Sequence, residues 1–396
     1  MLATIPQYVT ALNDTYGLTK TLGVIDVLRD GHGKPLFTAG NNSVLFTVRH
    51  DGRLKMLKCY TRPKRNLRRI YGEQCLHDEL FIHKDRHSGE WVDVVMYDRI
   101  EGRNLRRVIA DSLGDAEAVE RLAHAFDRFA LDLLRQEWAH GDLKPENIIV
   151  DGAGRMHPID FDAVFRPEFA GERSEETGTA VFQHPMRTAE LFDKSIDDYP
   201  IALISTALHA LSADPALHRR CETDEILLFD PRKIAAGECG VLDEVMHLFA
   251  RRCMAAEYRT AALLRSPSPH LFGLEELLAC RVERTTAEDA QAPELAERNG
   301  LWGYVRDGRY VIPPIYDCGF EFSEGLAAVR IADSLHFITP DGRAAVNCSG
   351  CDAVKPFRNG RAVVIRGGRR FEIDRNGNET GCDSSKAIQT ATERDI

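Results

Sequence analysis

The chain has 396 residues, 43% hydrophobic and 28% charged, an ordinary balance for a soluble globular protein with length for two or three domains. A net charge of −10 argues against a nucleic-acid binder, because phosphate backbones demand basic surfaces. No charged-then-apolar leader opens the chain, and its most apolar stretch, 199–211, is too short for a bilayer and carries Ser205, Thr206 and His209. A cytoplasmic protein with no membrane contact is expected, and ten scattered cysteines fit a reducing compartment.

Residues 35–50 alternate around Leu36, Val44, Phe46 and Val48, turn at Asp51-Gly52 and return through Leu54 to Tyr60, a β-hairpin pattern. Inside this run stands Ala39-Gly40-Asn41-Asn42-Ser43. Gly and Asn tolerate left-handed backbone angles, so Gly40, Asn41, Asn42 and Ser43 are expected to form either a plain turn or an anion-binding nest of amides. Residues 62–77 carry Arg62, Lys64, Arg65, Arg68 and Arg69, read as the solvated face of a helix or as a patch for an acidic partner. Segments 79–84 and 90–97 make a second hairpin around His87-Ser88-Gly89, ending in Asp98-Arg99-Ile100-Glu101-Gly102. Across 115–137, Val119, Leu122, Ala123, Phe126, Ala130, Leu133 and Leu134 recur at helical spacing.

That helix runs into His140-Gly141-Asp142-Leu143-Lys144-Pro145-Glu146-Asn147-Ile148-Ile149-Val150. An Asp can accept the proton of an attacking hydroxyl, a Lys two places on can neutralise a phosphate in flight, and an Asn five places on can ligate Mg²⁺. Eighteen residues after Asp142, Ile159-Asp160-Phe161 supplies a second metal-binding carboxylate. The intervening Asp151-Gly152-Ala153-Gly154 reads as a hairpin turn, which lets Asp142, Asn147 and Asp160 converge.

This constellation resembles the catalytic and metal loops of the protein-kinase-like phosphotransferases. The resemblance implies a bilobal fold with ATP and Mg²⁺ as cofactors. Asp142 becomes the base and Lys144 the phosphate neutraliser, while Asn147 and Asp160 become the metal ligands. It also assigns Lys58, in Met56-Leu57-Lys58-Cys59-Tyr60, to the α- and β-phosphates, with Lys55 as competitor. Glu73 is its expected partner and Glu79 the second choice. Asp98 to Ile100 would receive adenine through the backbone, with Tyr97 guarding the back pocket. Gly178-Thr179 through Pro185 resembles the segment in which protein kinases seat a peptide, Thr179 bonding to the catalytic Asp and Lys. Asp197, ahead of the helix at 199–211, would brace the catalytic loop or cap the helix. Four features depart from the protein-kinase pattern: Gly141 replaces Arg, Asp162 replaces Gly after Asp160-Phe161, Met186 follows Pro185 where Glu is expected, and the glycine loop is degenerate.

After a polar linker, Asp317, Phe322, Gly325 and Val329 recur 35 residues later as Asp352, Phe357, Gly360 and Val364. The Asp-Gly turn at 307–308 recurs at 341–342 and, as Asn-Gly, at 376–377. The first unit, from Leu301-Trp302-Gly303-Tyr304-Val305 to Val329, resembles a WG repeat, a short hairpin unit that stacks on its neighbours. It is read as a module that either binds a protein partner or braces the preceding lobe. Cys348 and Cys351 form a CxxC without a second pair or a His cluster, and are expected to be structural or incidental rather than a zinc or redox site.

The expected fold class is therefore α+β: a bilobal protein-kinase-like fold with a smaller all-β WG-repeat domain. The small lobe takes 1–100, the large lobe 101–284, a linker 285–295, the repeats 296–380 and a polar tail 381–396. The expected activity is ATP- and Mg-dependent phosphoryl transfer to Ser/Thr hydroxyls of protein substrates. A small-molecule phosphotransferase of aminoglycoside- or choline-kinase type, or a pseudokinase scaffold, are the alternatives.

Overall fold

The computed structural model describes residues 3–85, 87–220, 226–282 and 292–382. Helices and strands are mixed throughout, and the C-terminal third is built from small antiparallel sheets. The chain divides into two compact units, 1–102 and 103–396. No helix among the described residues is long and apolar enough to cross a membrane.

The N-terminal unit opens with α1 (Ile5–Asn13) and is dominated by one antiparallel sheet. Its strands are β1 (Asp26–Val27), β2 (Phe37–Ala39), β3 (Ser43–His50), β4 (Arg53–Tyr60), β5 (Cys75–His83) and β6 (Gly89–Asp98). The order is β1-β3-β4-β6-β5, with β2 also paired to β3. The period-two pattern of β3 buries Val44, Phe46 and Val48. Asp51 and Gly52 both take positive φ, the demand of a tight two-residue hairpin turn that only such residues meet cheaply. The expected helix over 62–77 is not formed at that length. Only α2 (Leu67–Tyr71) and one 3-10 turn, Gly72–Gln74, appear before β5 begins at Cys75. Pro63 disfavours helix in the residue before it, and Gly72 takes φ +57°, so the segment is punctuated at both ends.

The second unit begins with β7 (Arg103–Asn104), α3 (Leu105–Ser112) and α4 (Ala116–Leu134). Asp115 caps α4 by accepting the Ala118 amide, and the helix buries all seven residues whose spacing predicts it. The hairpin of β8 (Ile148–Val150) and β9 (Met156–Pro158) follows, closed by the 151–154 turn. Beyond it lies α5 (Asp198–Ala213), buried at every position from Asp198 to Leu211. A helix apolar all round belongs in the middle of a core. Around it stand α6 (Pro231–Ala236), α7 (Gly240–Arg251), α8 (Ala255–Leu263) and α9 (Leu274–Val282).

Three sheets complete the unit. The first is β10 (Glu294–Arg298), β11 (Leu301–Arg306) and β12 (Arg309–Tyr316). The second is β13 (Cys318–Gly319), β14 (Ala327–Ile331), β15 (Ser334–Ile338) and β16 (Ala344–Cys348). The third is β17 (Ala353–Val354), β18 (Arg361–Arg366), β19 (Arg369–Asp374) and β20 (Glu379–Cys382). The sequence repeat is a structural repeat. Glu324-Gly325 and Asn359-Gly360 turn with matching positive φ angles. Tyr304 packs at a tilt against Phe322 at 4.8 Å, and Phe337 edge-to-face against Phe357 at 4.7 Å. Glu324 accepts the Asn359 and Gly360 amides, stitching one turn to the next.

The first two of these sheets do not stand apart from the helices. Ala250, Ala255, Ala256 and Leu277 share a buried cluster with Tyr304, Ile312, Ile315, Tyr316, Val329 and Ile338. His336 Nε2 donates to the Ala250 carbonyl at 2.7 Å, Asn347 Nδ2 to that of Arg251 at 3.0 Å, and Arg259 Nε to that of Ile315 at 2.8 Å. Arg259 also pairs with Asp317 at 2.9 Å. Of the expected linker, 285–291 lie outside the described residues and β10 already starts at Glu294. Of the expected tail, Gly381 and Cys382 finish β20, and 383–396 lie outside the described residues.

Candidate active site

The loop after α4 is held by main-chain contacts. Ala139 and Phe165 exchange two backbone hydrogen bonds, 3.0 and 2.8 Å. His140 Nε2 donates to the Ile159 carbonyl at 2.8 Å, and its ring packs on Phe161. Asp197 makes no side-chain cap on α5. Its buried carboxylate accepts the His140 amide at 2.5 Å and the Gly141 amide at 2.9 Å. Burial pushes its pKa up, against the opposing influence of His140, these two amides and Arg187. Of the two roles its sequence position allows, bracing the loop is the one observed.

Gly141 carries φ +81°, and a Cβ there would stand 2.1 Å from the Ala163 carbonyl oxygen. The departure from Arg at this position is thus steric as well as electrostatic. No side chain fits without moving the backbone. Gly178, with φ +75°, is also confined, since a Cβ there would stand 2.6 Å from the Gly141 carbonyl oxygen.

Between these two glycines sits the carboxylate of Asp142. Its Oδ1 accepts the Thr179 amide at 2.6 Å. Its Oδ2 takes Lys144 Nζ at 3.1 Å and Asn147 Nδ2 at 3.2 Å. Lys144 Nζ also donates to Thr179 Oγ1 at 2.7 Å. Asp142, Lys144, Asn147 and Thr179 therefore form one network, with the Asp and Lys side chains 18% and 23% exposed, enough to meet a substrate. Asn147 is buried, and by donating through Nδ2 it keeps Oδ1 as an oxygen ligand. The Ile159 amide donates to the Asn147 carbonyl at 2.9 Å, so Ile159 lies opposite Asn147 and Asp160 is the next residue along the chain. Asp160 takes φ +67°, an angle Asp tolerates better than most residues. A carboxylate and an amide oxygen are the hard donors a small divalent cation takes, so the pair fits Mg²⁺.

In the N-terminal unit Lys58 is buried, with Nζ 3.4 Å from the Tyr71 hydroxyl and above the rings of Tyr60 and Tyr71 at 5.4 and 5.8 Å. Glu73 is exposed on the Gly72–Gln74 turn, and the structure does not bring it to Lys58. Glu79 is buried elsewhere, accepting the Thr21 and Leu22 amides and the Thr21 hydroxyl. Lys55, the competitor of Lys58, pairs with Asp98 at 2.6 Å and holds that carboxyl below its usual range. Ile100 follows β6 in irregular backbone. Gly40, Asn41, Asn42 and Ser43 close a turn in which the Gly40 amide donates to the Ser43 carbonyl. None of the four takes a positive φ, so the left-handed nest is not formed.

The sequence reading missed Tyr71, whose ring and hydroxyl meet Lys58, and Gln183, whose amide reaches the Gly141 carbonyl at 3.5 Å. It also missed a buried network in which Asp127 accepts Ser205 Oγ and His209 Nε2, both at 2.7 Å, beside Arg281 at 3.3 Å. An Asp on the apolar stripe of α4 and a His within an otherwise apolar α5 were its only signals.

Residues 302–333 match the family described as WG containing repeat. That match covers the first repeat unit, β11 to β14. No curated protein matches the chain.

Proposed function

We propose that this chain transfers the γ-phosphoryl group of ATP to Ser/Thr hydroxyls of a protein substrate, using the large-lobe network around Asp142. The observation that carries the reading is the shared Asp142–Lys144–Thr179 contact. A carboxylate restrained by three donors has the orientation a general base needs, and a lysine beside it can meet phosphate charge. Asp142 accepts the hydroxyl proton as the oxygen attacks. Lys144 neutralises the transferring group, and Thr179 fixes both while its segment seats the acceptor. Asn147 and Asp160 are the residues for Mg²⁺, which when bound offsets charge on the phosphates. Lys58 is assigned to the nucleotide phosphates. The WG-like sheets are proposed to offer a surface to a protein partner beyond the face they pack on the helices.

A small-molecule phosphotransferase is the second reading, favoured by Gly141, whose confinement leaves no place for an arginine, and by Asp162. Purified full-length protein with γ-labelled ATP and Mg²⁺ separates the two. Label on this chain or on generic protein substrates supports the first. Label only on aminoglycoside or choline acceptors supports the second. Nucleotide binding without transfer to any acceptor would leave a scaffold.

A further inference from the structure

The second of the three sheets ends in a pair of thiols. Cys348 closes β16 and Cys351 follows it through Ser349-Gly350, with Gly350 at φ +88°. The Cys351 amide donates to the Cys348 carbonyl at 2.9 Å. An i to i+3 turn of this kind holds its end Cα atoms within about 7 Å, close to the span a disulfide bridges. The Cys348 and Cys351 thiols are near enough for each to shift the acidity of the other. Arg366, at the end of β18, donates from Nη2 to Cys351 Sγ at 3.6 Å. The same guanidinium lies over the Phe371 ring and 3.7 Å from Glu379.

We propose that Cys348 and Cys351 are a reversible peroxide-oxidised dithiol, with Cys351 the attacking sulfur and Cys348 the resolving one. The order follows from the neighbours. The neighbouring Cys348 and the Arg366 guanidinium on its sulfur favour the Cys351 thiolate, against burial and the nearby Asp352. The neighbouring Cys351 and burial hold Cys348 protonated. Cys351 is 5% exposed, which favours an oxidant of two oxygen atoms over a bulky disulfide.

In the first step the Cys351 thiolate attacks one oxygen of hydrogen peroxide and the O–O bond breaks. The departing hydroxide takes the proton released by Cys351 and leaves as water, and Cys351 becomes a sulfenic acid. The Cys348 sulfur then attacks the Cys351 sulfur. The S–O bond breaks, hydroxide takes the Cys348 proton as a second water, and the disulfide forms. Two thiols and one peroxide thus give one disulfide and two waters, the sulfurs losing two electrons and the peroxide gaining them. A dithiol reductant reverses the change through exchange. The product would lock the junction between β16 and β17.

The test uses reduced full-length protein, treated with hydrogen peroxide at pH 7, alkylated and digested with trypsin. The peptide 344–358 should carry no alkyl group and weigh about 2 Da less than its unalkylated dithiol form, and dithiothreitol before alkylation should restore two alkyl groups. Cys348→Ser should give a dimedone adduct on Cys351, and Cys351→Ser should leave Cys348 unmodified. Arg366→Gln, with an unchanged circular-dichroism spectrum, should slow oxidation about tenfold. An unshifted 344–358 peptide while other cysteines oxidise would overturn the proposal. So would an adduct on Cys348 in Cys351→Ser, or an Arg366→Gln rate equal to wild type.

Discussion

Order around Asp142 and order in the C-terminal sheets arise from opposite materials. Near Asp142 it comes from polar atoms, with the Asp197 carboxylate on two amides, the Asp142 carboxylate on Thr179, Lys144 and Asn147, and two glycines confined at positive φ. In the sheets it comes from tilted and edge-to-face aromatic pairs, matched turns and an apolar face shared with α7, α8 and α9. A polar network of this kind is specified over a short run of chain, since each donor must meet one acceptor. An apolar face is specified only by its area, and its partner can come from anywhere in the sequence.

The largest effect expected from this contrast follows removal of the sheets. A chain ending at residue 282 loses the cover over Ala250, Ala255, Ala256 and Leu277 and the hydrogen bonds to the Ala250, Arg251 and Ile315 carbonyls. Each large apolar side chain left exposed costs about 1.5–3 kcal/mol, so the truncated protein should aggregate or melt many degrees lower. An unchanged melting temperature would show that the sheets are a tethered module and the shared face incidental. At the polar end, Gly141→Ala should destabilise by about 3 kcal/mol or more in urea unfolding, because a Cβ meets the Ala163 carbonyl at a left-handed angle. A loss below about 1 kcal/mol would mean the loop backbone yields and Gly141 is not a steric requirement.

A smaller effect is expected at Asp198, the first residue of α5. Its carboxyl accepts the Leu271 amide at 2.9 Å and lies 3.1 Å from His270 Nδ1. Burial raises its pKa to about 7, with Asp197 and Asp193 adding to the rise and Lys194 opposing it. The folded pKa lies above the unfolded value, so the folded state binds the proton more tightly. Stability from this group is present at low pH and is lost as pH rises through about 7. Asp198→Asn should therefore be more stable than wild type at pH 8, by about 1–2 kcal/mol, and no more stable at pH 5. Equal differences at both pH values would remove the burial argument.

The same contrast explains what could be read from the sequence. The Asp51-Gly52 and Asp307-Gly308 hairpins were legible because two successive positive-φ residues leave few alternatives. The helix α4 was legible from apolar spacing and α5 from an apolar run, while residue type at fixed intervals singled out Asp142, Lys144 and Asn147 and the family resemblance singled out Thr179. The five cations of 62–69 suggested a helix three times longer than α2, because charge patterning says nothing of the Pro and Gly that end it. Glu73 was chosen as the only acid in that segment, and residue type alone did not place it on the exposed turn. That the repeats lean on α7–α9 was left as one of two readings, because an alanine face such as Ala250, Ala255 and Ala256 carries no address for its partner. The Cys351–Arg366 contact joins the loop after β16 to the end of β18, and spacing cannot forecast it.

The central claim is that Asp142 acts on an attacking hydroxyl. The most direct measurement compares wild type and Asp142→Ala for label transfer from γ-labelled ATP, with nucleotide affinity measured on the same preparations. Transfer should fall by about 10²–10⁴-fold while ATP affinity stays within about twofold, since a base on the acceptor makes little ground-state contact with nucleotide. Wild-type transfer in the variant would contradict the account.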